Sequence, residues 1–356
     1  MRVGLDISIQ GRRHPTGVER AQLTLVDALL QLGTEHELQL FGNGPVPAGW
    51  AEHPGVTVQS SPQSPPWFWR QVVLPRMVRR AGLQLLHSPV VALSRGVQCP
   101  QVATVHELPW VSAAGRLGDR RLRHRWALGH TVRRAARLLC VSQQTADQLT
   151  ALHPGCAARV AVIPHGVDPL FSAALTQTQP AMRPPLLLAV GRLRRKKNLL
   201  RLLEVVAVLP EAQLLVAGPP GDGSDELHRR AGAADLVGRV RFAGFLSDAE
   251  LLDAYVTARC VVFPSLFEGF GLPVLEAMAA GTPVVAARQG AVAEAVGEAA
   301  LLMDGSDVQS MAQSISQVLE DGAFADALAA RGREHSASRS AAEQARSVVA
   351  LWEQLT

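Results

Sequence analysis

Short apolar runs alternate with amphipathic segments along the chain, and this alternation restricts the possible folds more than any other feature. Each run has the length of a buried β-strand, and the segments between runs repeat their apolar residues at helical spacing. Strands that alternate with helices pair as parallel sheets with helices on their faces. The sequence therefore predicts an α/β protein. Strands are expected in RVGLDIS, HELQLFG, LQLLHS, QVATV and RLLCVS, and again in PLLLAVG, AQLLVAG, RVRFAG, CVVFPS and TPVVAA.

The two series of strands predict two domains of ordinary size within the 356 residues. Between them, residues 166–185 are polar, contain prolines and lack periodicity, as interdomain linkers do. We expect an N-terminal domain over residues 1–170, a C-terminal domain over residues 171–338 and a final helix over residues 339–356. That helix has one apolar face and can pack on either domain; the face consists of Val348, Leu351, Trp352 and Leu355.

The composition points to a globular protein of a reducing compartment. Hydrophobic residues make up 47% of the chain, yet no stretch approaches the roughly 20 apolar residues of a membrane span. The first residues enter a strand-like run rather than a signal peptide, so a cytoplasmic location is expected. Because the four cysteines are scattered, neither disulfides nor zinc are expected; they are Cys99, Cys140, Cys156 and Cys260.

The basic charge is concentrated in the first half of the chain. Residues 1–165 carry 18 arginines and nine acidic residues, a net +9, whereas the remainder carries 17 basic and 22 acidic residues, a net −5. Much of the excess lies in the segment that starts at Arg116 and ends at Arg137, where eight arginines accompany one acid, Asp119. The segment is either a solvated helix face or a peripheral contact with an anionic membrane, worth about 1 kcal/mol per basic side chain. No recognition motif suggests nucleic acid.

The stretch GRLRRKKN, which follows the run PLLLAV, holds the only two lysines, Lys196 and Lys197, of a chain with 35 basic residues. A chain that uses arginine almost everywhere suggests a position that needs an ammonium group. The stretch also precedes a helix, where five basic residues oppose the helix dipole unless an anion lies among them. The alternative is that both lysines are solvated charges without a role.

The run CVVFPSLFEGFGLPVLEAMAAGTPVVAA predicts a strand, a loop, a helix over residues 273–280 and another strand. Gly269 and Gly271 precede the helix and would let a ligand approach its N-terminal amides. Glu268 at the loop entrance and Glu276, expected in the first helical turn, can hydrogen bond sugar or ribose hydroxyls. Alternatively, the glycines only form a turn and Glu276 only complements the helix dipole.

Both loops follow strands of one parallel sheet, whose ligands bind beyond the carboxyl ends of the strands. We therefore expect one pocket, in which Arg192 and Lys197 bind a diphosphate and the two glutamates bind hydroxyl groups. A dinucleotide redox cofactor is not expected, because no GxGxxG follows any strand. In the first half, His106 ends the strand QVATV and is a candidate site residue that the adjacent Glu107 can orient or charge. A structural histidine paired with that acid is the alternative.

Several pieces of the sequence, in this order, resemble the retaining family 4 glycosyltransferases of GT-B fold: GLDIS with TGVERAQLTLVDAL, VSQQTADQL, IPHGVD, VGRLRRKKN and EGFGLPVLEAMAAGTPVV. The resemblance covers nearly the whole chain, and two glutamates separated by seven residues match the family signature. It implies two Rossmann-like parallel-sheet domains that face a cleft. The first would bind the acceptor and the second the nucleotide sugar, and the C-terminal helix would cross back to the first domain.

The resemblance also implies residue roles, with His106, Glu268, Arg192 and Lys197 as catalytic candidates. Glu268 would contact the donor sugar, Arg192 and Lys197 the diphosphate, and His106 would lie near the reacting sugar. Glu276 would hold the ribose. Backbone groups that approach the sugar or phosphate are expected at Gly17, Gly269, Phe270, Gly271 and Leu272. The family usually has Asp where this chain has Glu107, which alters the expected hydrogen bonding of the histidine.

By this resemblance the protein is a retaining hexosyltransferase that takes a sugar from GDP-mannose or a UDP-sugar. Its acceptor would be a glycan or a lipid-linked molecule of bacterial surface polysaccharide or glycolipid synthesis, because residues 67–89 are similar to mannosyltransferases of such pathways. No cofactor is expected and no metal, since Arg192 and Lys197 would neutralise the diphosphate. A sugar-nucleotide epimerase of GT-B fold and a non-catalytic nucleotide-sugar-binding protein are the alternative interpretations.

Overall fold

The computed structural model describes residues 1–8, 15–47, 49–108, 120–173 and 180–355. Its contacts divide the chain into two compact units. Unit 1 comprises residues 1–166 and 341–356, and unit 2 comprises residues 167–340. The boundary therefore falls after Gly166, four residues before the end of the domain expected from the sequence.

Unit 1 contains a parallel sheet of seven strands in the order β3-β2-β1-β4-β5-β6-β7. The strands are β1 (Arg2–Asp6), β2 (Glu37–Asn43), β3 (Val56–Ser61), β4 (Leu85–Ser88), β5 (Gln101–Val105), β6 (Arg137–Cys140) and β7 (Val160–Val162). The helices that precede the unit boundary are α1 (Gly17–Leu32), α2 (Pro66–Phe68), α3 (Leu74–Ala81), α4 (Arg120–Arg134) and α5 (Gln143–Leu152). A π-helical turn, Trp69–Val73, joins α2 to α3.

Unit 2 contains a parallel sheet of six strands in the order β10-β9-β8-β11-β12-β13. The strands are β8 (Leu186–Val190), β9 (Gln213–Ala217), β10 (Val240–Gly244), β11 (Cys260–Phe263), β12 (Val284–Ala287) and β13 (Leu301–Met303). Its helices are α6 (Pro169–Ala173), α7 (Leu199–Val208), α8 (Ser224–Ala231), α9 (Asp248–Thr257), α10 (Leu272–Ala279), α11 (Gly290–Val296), α12 (Val308–Glu320) and α13 (Gly322–Ala337). Buried aliphatic residues of β8, β9, α7 and α12 form one core cluster of this unit.

The last helix, α14 (Ala341–Glu353), returns to unit 1 and packs against α1. Val348, Leu351 and Trp352, three members of the expected apolar face, are buried. The fourth, Leu355, lies beyond the end of the helix and is half-buried. Gln344 is also buried on this helix, although its side chain is polar.

Local sequence signals explain where α1 begins and ends. The side chain of Thr16 accepts a hydrogen bond from the backbone N–H of Glu19, and the carboxylate of Glu19 accepts one from the backbone N–H of Thr16. This capping box satisfies two of the amides that a helix N-terminus leaves unpaired. The helix ends at Gly33, which has a φ of 62° and adopts the left-handed conformation that glycine tolerates.

Ten strands were expected, and the structure adds three, β3, β7 and β13, each at the edge of its sheet. Edge strands pair on one side only and are covered less completely. Most residues of these three strands are accordingly half-buried or exposed. β7 (VAV) and β13 (LLM) are only three residues long, and in β3 (VTVQSS) the last three residues are polar, so all three give weaker sequence signals than the longer apolar runs.

Each sheet has a point at which the strand order reverses, and ligands of open α/β sheets bind beyond the carboxyl ends of strands at such points. In unit 1 the reversal lies between β1 and β4, and in unit 2 between β8 and β11. The predicted loops at Arg192 and Glu268 follow β8 and β11 directly. Within the described ranges, none of the helices combines the length and apolar character that crossing a lipid bilayer requires.

Gly218 provides a stability prediction for the loop at this reversal. A Cβ at Gly218, which has a φ of 155°, would lie 2.1 Å from the carbonyl oxygen of Gly191. Gly238, with a φ of 80°, has no atom within 4 Å of such a Cβ and is the control for a positive φ without a clash. We expect Gly238→Ala to lower the unfolding free energy by about 1–2 kcal/mol and Gly218→Ala by about 1–3 kcal/mol more. Thermal unfolding of both variants measures the difference, and equal losses would contradict the predicted clash.

Candidate functional site

The loops that follow β8 and β11 meet through charged side chains in unit 2. The Nζ atom of Lys197 lies 2.6 Å from Oε1 of Glu268, and that of Lys196 lies 3.6 Å from Oε2 of the same carboxylate. The backbone N–H of Leu266 also donates to the carbonyl oxygen of Lys196 at 2.8 Å. The structure therefore brings together the two stretches that the sequence placed in one pocket.

The surroundings of Lys197 explain why this position holds a lysine. Its Nζ lies 4.6 Å from the ring centroid of Phe263, at a distance suited to a cation–π contact. A Cβ added to Gly191 would lie 2.9 Å from Cε and 3.1 Å from Nζ of Lys197, so the side chain occupies the space that this glycine leaves. A compact ammonium occupies the space between Gly191, Phe263 and Glu268, and the broader planar guanidinium of arginine differs from it in size and donor geometry.

The backbone places Lys197 at the start of α7. Arg195–Lys197 form a 3-10 turn, and the next residue, Asn198, has a φ of 56°. It is the only residue other than glycine with a positive φ in the part of the chain that the structure describes. Asparagine tolerates the left-handed conformation better than most residues, and its Nδ2 donates to the carbonyl oxygen of Gly305 at 2.8 Å.

The carboxyl of Glu268 is held in its charged form. Burial alone would raise its pKa, but the ammonium groups of Lys197 and Lys196 and hydrogen bonds with Lys197 and Ser265 lower it below the ordinary value. The sequence analysis inferred a bound anion from the basic stretch. The structure supplies an internal anion, Glu268, so the lysines alone do not require an external one.

Arg192 lies on the same loop as the lysines and is half-buried. Its Nη1 donates to the carbonyl oxygen of Pro220 at 2.9 Å, which ties the loop after β8 to the loop after β9. Gly221 allows this approach, because a Cβ there would lie 3.2 Å from Cγ of Arg192. The arginine is thus fixed at the carboxyl edge of the sheet.

The segment of Gly269, Phe270, Gly271 and Leu272 leads into α10. Helix α10 begins at Leu272, one residue before the expected start, and Gly271 at its N-cap has a φ of 116°. The N-cap glycine makes no side-chain cap; Pro273 in the first turn has no N–H, and the N–H of Val274 donates to the carbonyl oxygen of Gly271 at 3.1 Å. The ring of Phe270 is buried, which leaves only backbone groups of that residue for contact with a ligand.

Glu276 does not lie in the first turn of its helix, as the sequence analysis had expected. It is the fifth residue of α10, and with 3.6 residues per turn it belongs to the second turn. Its side chain is 5% exposed, and Oε2 accepts a hydrogen bond of 2.8 Å from the hydroxyl of Tyr255. Sequence analysis missed Tyr255, although it is the single tyrosine of the chain.

In unit 1, His106 follows β5 and makes hydrogen bonds through both ring nitrogens. Nδ1 lies 3.1 Å from Nε2 of His165, and Nε2 lies 2.8 Å from the carbonyl oxygen of Pro89. The rings of His106 and His165 also stack, with centroids 5.1 Å apart. The expected orienting acid, Glu107, does not occupy either nitrogen. Sequence analysis missed the role of His165, although it lies in the motif IPHGVD.

Burial governs the protonation of both rings. It lowers the pKa of His106 to about 4, although the hydrogen bond to Pro89 opposes this shift. Burial, and then the proximity of His106, lowers the pKa of His165 well below its ordinary value. Both histidines are therefore neutral at neutral pH.

His106 forms part of the wall of a cavity of about 1580 Å³ in unit 1. About half of the lining residues are apolar or aromatic, and the others are polar or charged; among them are Val91, Leu93, Trp67, Trp126, Arg70, Arg95 and Glu107. Trp67 is 65% exposed and Trp126 60% exposed, and the guanidinium of Arg95 lies 4.7 Å from the ring centroid of Trp126. In contrast, Trp69 is fully buried in the core.

The remaining predicted positions lie on α1 and α4. Gly17 is the first residue of α1, and a Cβ there would have no atom within 4 Å, so its surface is open. Of the basic segment at residues 116–137, residues 116–119 lie outside the described residues. In the rest of α4, the side chains of Arg125, Arg133 and Arg134 are exposed.

Comparison with protein families gives two adjoining matches. Residues 15–170 match the model of Glycosyltransferase Family 4, and residues 174–335 match the model of Glycosyl transferases group 1.

Alignments with three curated relatives cover between 39% and 77% of the length of those proteins. The chain is 32% identical over 324 residues to D-inositol 3-phosphate glycosyltransferase 1 of Catenulispora acidiphila, an alignment that covers 80% of this chain and 77% of that protein. It is 35% identical over 150 residues to O-antigen chain mannosyltransferase B of Escherichia coli, covering 41% of this chain and 39% of that protein. It is also 32% identical to glycogen synthase of Mycobacterium tuberculosis (strain CDC 1551 / Oshkosh), and that alignment covers 70% of this chain and 62% of that protein.

Solved structures resemble the whole chain. The Anabaena protein HepE in complex with UDP and glucose has a TM-score of 0.75 at 20% identity, covering 99% of this chain and 100% of that one. A sucrose-phosphate synthase from Thermosynechococcus elongatus has a TM-score of 0.79 at 23% identity, and the superposition covers 99% of this chain and 98% of that one. At these identities the likeness establishes the fold, GT-B, as the sequence predicted.

The ion pair of Lys197 and Glu268 gives a second stability prediction. Lys197→Met leaves the buried carboxylate of Glu268 with Lys196 as its one lysine partner. Breaking a buried ion pair lowers the free energy of unfolding by about 3–5 kcal/mol, and we expect a loss near the lower end of this range. The double variant Lys197→Met/Glu268→Gln removes both charges and should recover most of that loss. Lys197→Arg should also destabilise, because a planar guanidinium does not reproduce the geometry of the compact ammonium beside Gly191.

Thermal unfolding of these variants tests the pair, with Lys196→Met as the control because its Nζ is the more distant from the carboxylate. If the double variant is as unstable as Lys197→Met alone, the loss does not come from an uncompensated carboxylate.

Proposed function

The chain belongs to glycosyltransferase family 4, and from that premise we propose that it is a retaining hexosyltransferase that uses a nucleotide-diphosphate sugar as its donor. The observation that carries this proposal is the pair of Lys197 and Glu268 at the strand reversal of unit 2, 2.6 Å apart. At the carboxyl ends of β8 and β11, a cation suits the diphosphate of such a donor and a carboxylate suits the hydroxyl groups of its sugar.

The loop after β8 would bind the diphosphate. An ammonium group carries three N–H donors, so Lys197 can contact Glu268 and a phosphate oxygen at the same time. Arg192, fixed by its bond to Pro220, supplies a second cation. Gly271, which has no side chain, would let an oxygen ligand approach the positively polarised N-terminus of α10. This arrangement stabilises a diphosphate without a metal ion, and no other cofactor is needed.

Glu268 and the cations have separate roles in the transition state. Negative charge grows on the departing diphosphate while the sugar becomes cationic, and preorganised charges that match this change stabilise it. Lys197 and Arg192 would stabilise the diphosphate, and the ionised Glu268 would face the sugar. Glu276, with one oxygen bonded to Tyr255, would hold the ribose. Retention would follow a front-face reaction in which the leaving phosphate takes the acceptor proton.

The donor is proposed to be GDP-mannose or a UDP-sugar. The structurally similar HepE binds UDP and glucose, and the Escherichia coli relative is named an O-antigen chain mannosyltransferase. These names support a role in bacterial surface polysaccharide or glycolipid synthesis, with a glycan or a lipid-linked acceptor. The cavity beside His106 is proposed as the acceptor site, because its exposed tryptophans can stack on sugar rings or contact apolar chains.

Helix α4 is proposed to contact an anionic membrane, from which a lipid-linked acceptor would be drawn. Trp126 and Leu152 are exposed beside Arg125 and Arg133, and the four residues line one surface groove. Exposed aromatic and arginine side chains together suit the interface between lipid headgroups and acyl chains. The protein would then be cytoplasmic and peripheral.

A screen of nucleotide sugars tests the donor proposal. At 100-fold above Kd a donor stabilises the native state by about 2.7 kcal/mol, or roughly 5–10 °C in Tm for a unit of this size. The intact diphosphate sugar should stabilise more than the nucleoside monophosphate. The variant Lys197→Met/Glu268→Gln should lose this stabilisation, and its turnover should fall by about 10²–10³, as for the loss of a preorganised donor.

Radiolabelled donor distinguishes the alternatives. Label transferred to acceptor in the presence of EDTA supports the proposed reaction. Isomerised donor without transfer would indicate an epimerase, and stabilisation without hydrolysis or transfer would indicate a binding protein. If no nucleotide sugar stabilises the wild-type protein, the proposal is wrong.

Vesicle co-sedimentation at low salt tests the membrane contact. Arg125→Gln/Arg133→Gln/Arg134→Gln should weaken binding to anionic vesicles by roughly 100-fold, because each basic side chain near the lipid contributes about 1 kcal/mol of binding free energy. The control removes three exposed arginines from α3 of the same unit: Arg76→Gln/Arg79→Gln/Arg80→Gln. If both triple variants bind equally, α4 is not the contact surface.

A further inference from the structure

A chain of hydrogen bonds connects the C-terminal helix with His106 inside unit 1. The backbone N–H of Gly166 donates to Oε1 of Gln344 at 2.8 Å. Nε2 of Gln344 lies 3.3 Å from Nδ1 of His165. Nε2 of His165 lies 3.1 Å from Nδ1 of His106, and Nε2 of His106 lies 2.8 Å from the carbonyl oxygen of Pro89.

Both ends of this series of hydrogen bonds are backbone groups, and neither can switch between donor and acceptor. The Gly166 N–H can only donate, so it takes the oxygen of Gln344 and leaves the amide NH₂ of Gln344 for His165. The Pro89 carbonyl can only accept, so His106 must carry its proton on Nε2. A neutral imidazole has one donor and one acceptor nitrogen. The only consistent arrangement therefore places the proton of His165 on Nε2 as well, donated to Nδ1 of His106.

This arrangement fixes what His106 can do. With Nε2 committed to Pro89 and Nδ1 to His165, the neutral ring cannot accept or release a proton without breaking a buried hydrogen bond. Burial of the ring favours the same neutral state. Its contribution to the cavity wall is thus a fixed shape and orientation rather than acid or base chemistry.

We propose that Gln344 and His165 are positioning residues, which hold His106 as a neutral ring with its proton on Nε2 in the wall of the acceptor cavity. The positioning role rests on the proposed glycosyl transfer, whereas the proton positions on the two rings do not. Helix α14 thereby does more than pack against α1, because it delivers an amide side chain, buried in unit 1, to a site formed by the first 166 residues.

A second contact of α14 provides a matched control. Nε1 of Trp352 donates to Nδ1 of His87 at 3.2 Å, and Nε2 of His87 lies 2.9 Å from the hydroxyl of Thr104. This chain involves the same helix and another buried histidine, but does not include His106 or His165. Trp352→Phe therefore perturbs the packing of α14 and the His87 ring while it leaves the Gln344 chain in place.

Long-range ¹H–¹⁵N spectra of the full-length protein with labelled histidine test the proton positions, with rings assigned through His106→Gln and His165→Gln. In the wild type, both His106 and His165 should show the neutral pattern with the proton on Nε2 at pH 7. An ionised Gln344→Glu side chain can only accept from His165, which then needs protons on both nitrogens, so His165 should change to the imidazolium pattern as the pH rises through the titration of that carboxyl. Gln344→Met should leave the His165 proton on Nε2, where His106 still accepts it, and should shift the Nδ1 resonance of His165, which loses its hydrogen bond. Trp352→Phe should alter His87 alone.

Activity and donor binding are measured on the same variants. Gln344→Met should reduce turnover by about 10–100-fold, as expected for misplacement of a group beside the reacting atoms. Donor-induced thermal stabilisation should change little, because the residues proposed to bind the diphosphate and the ribose belong to unit 2. A wild-type His106 with its proton on Nδ1, or unchanged spectra in both Gln344 variants, would overturn the inference even if one variant failed to fold.

Altered spectra with undiminished turnover would overturn the positioning role and leave the hydrogen-bond chain intact. Failure of the proposed function has a different signature, since the wild-type protein would then neither bind nor transfer any nucleotide sugar while its histidine spectra still followed the expected pattern.

Discussion

The buried ion pair between Lys197 and Glu268 is the interaction on which the candidate site depends. It links the loops after two neighbouring strands, β8 and β11, and keeps the carboxylate charged inside a largely buried environment. The pair is possible because Gly191 has no side chain where the lysine passes and because Phe263 offers its ring to the ammonium group. A cation held in this way carries N–H donors that are already oriented and partly desolvated, which is the condition for strong interaction with a diphosphate.

Unit 1 uses polar contacts of another kind. His106 is held by a neutral hydrogen-bond chain that begins at the C-terminal helix, and no ion pair takes part in it. Burial disfavours the charged imidazolium, while backbone groups at both ends dictate where the protons lie. The two units thus contribute contrasting elements: charged groups at the reversal of one sheet, and a neutral, rigid ring beside an apolar cavity in the other.

Much of this organisation could be predicted from the sequence. The ten apolar runs are all strands, and the helix ends at Gly33 and near Gly281 follow from glycine. The two loops at Arg192 and Glu268 could be placed at one sheet edge because they follow strands of one parallel series. Three edge strands were not predicted, since two of them are only three residues long and the third is mostly polar. Glu276 was assigned to the wrong turn because its helix begins one residue earlier than proline and glycine signals indicated.

The sequence by itself determined ten of the thirteen strands of the parallel sheets and which chemical groups stand at their carboxyl ends, because periodicity and turn signals act over short distances. Only the tertiary structure decided the partners of those groups. Glu268 rather than an external anion neutralises Lys197, Tyr255 binds Glu276, and Gln344 reaches His106 through His165 across 238 positions of sequence. Such pairings depend on how distant segments pack, and no local pattern records them.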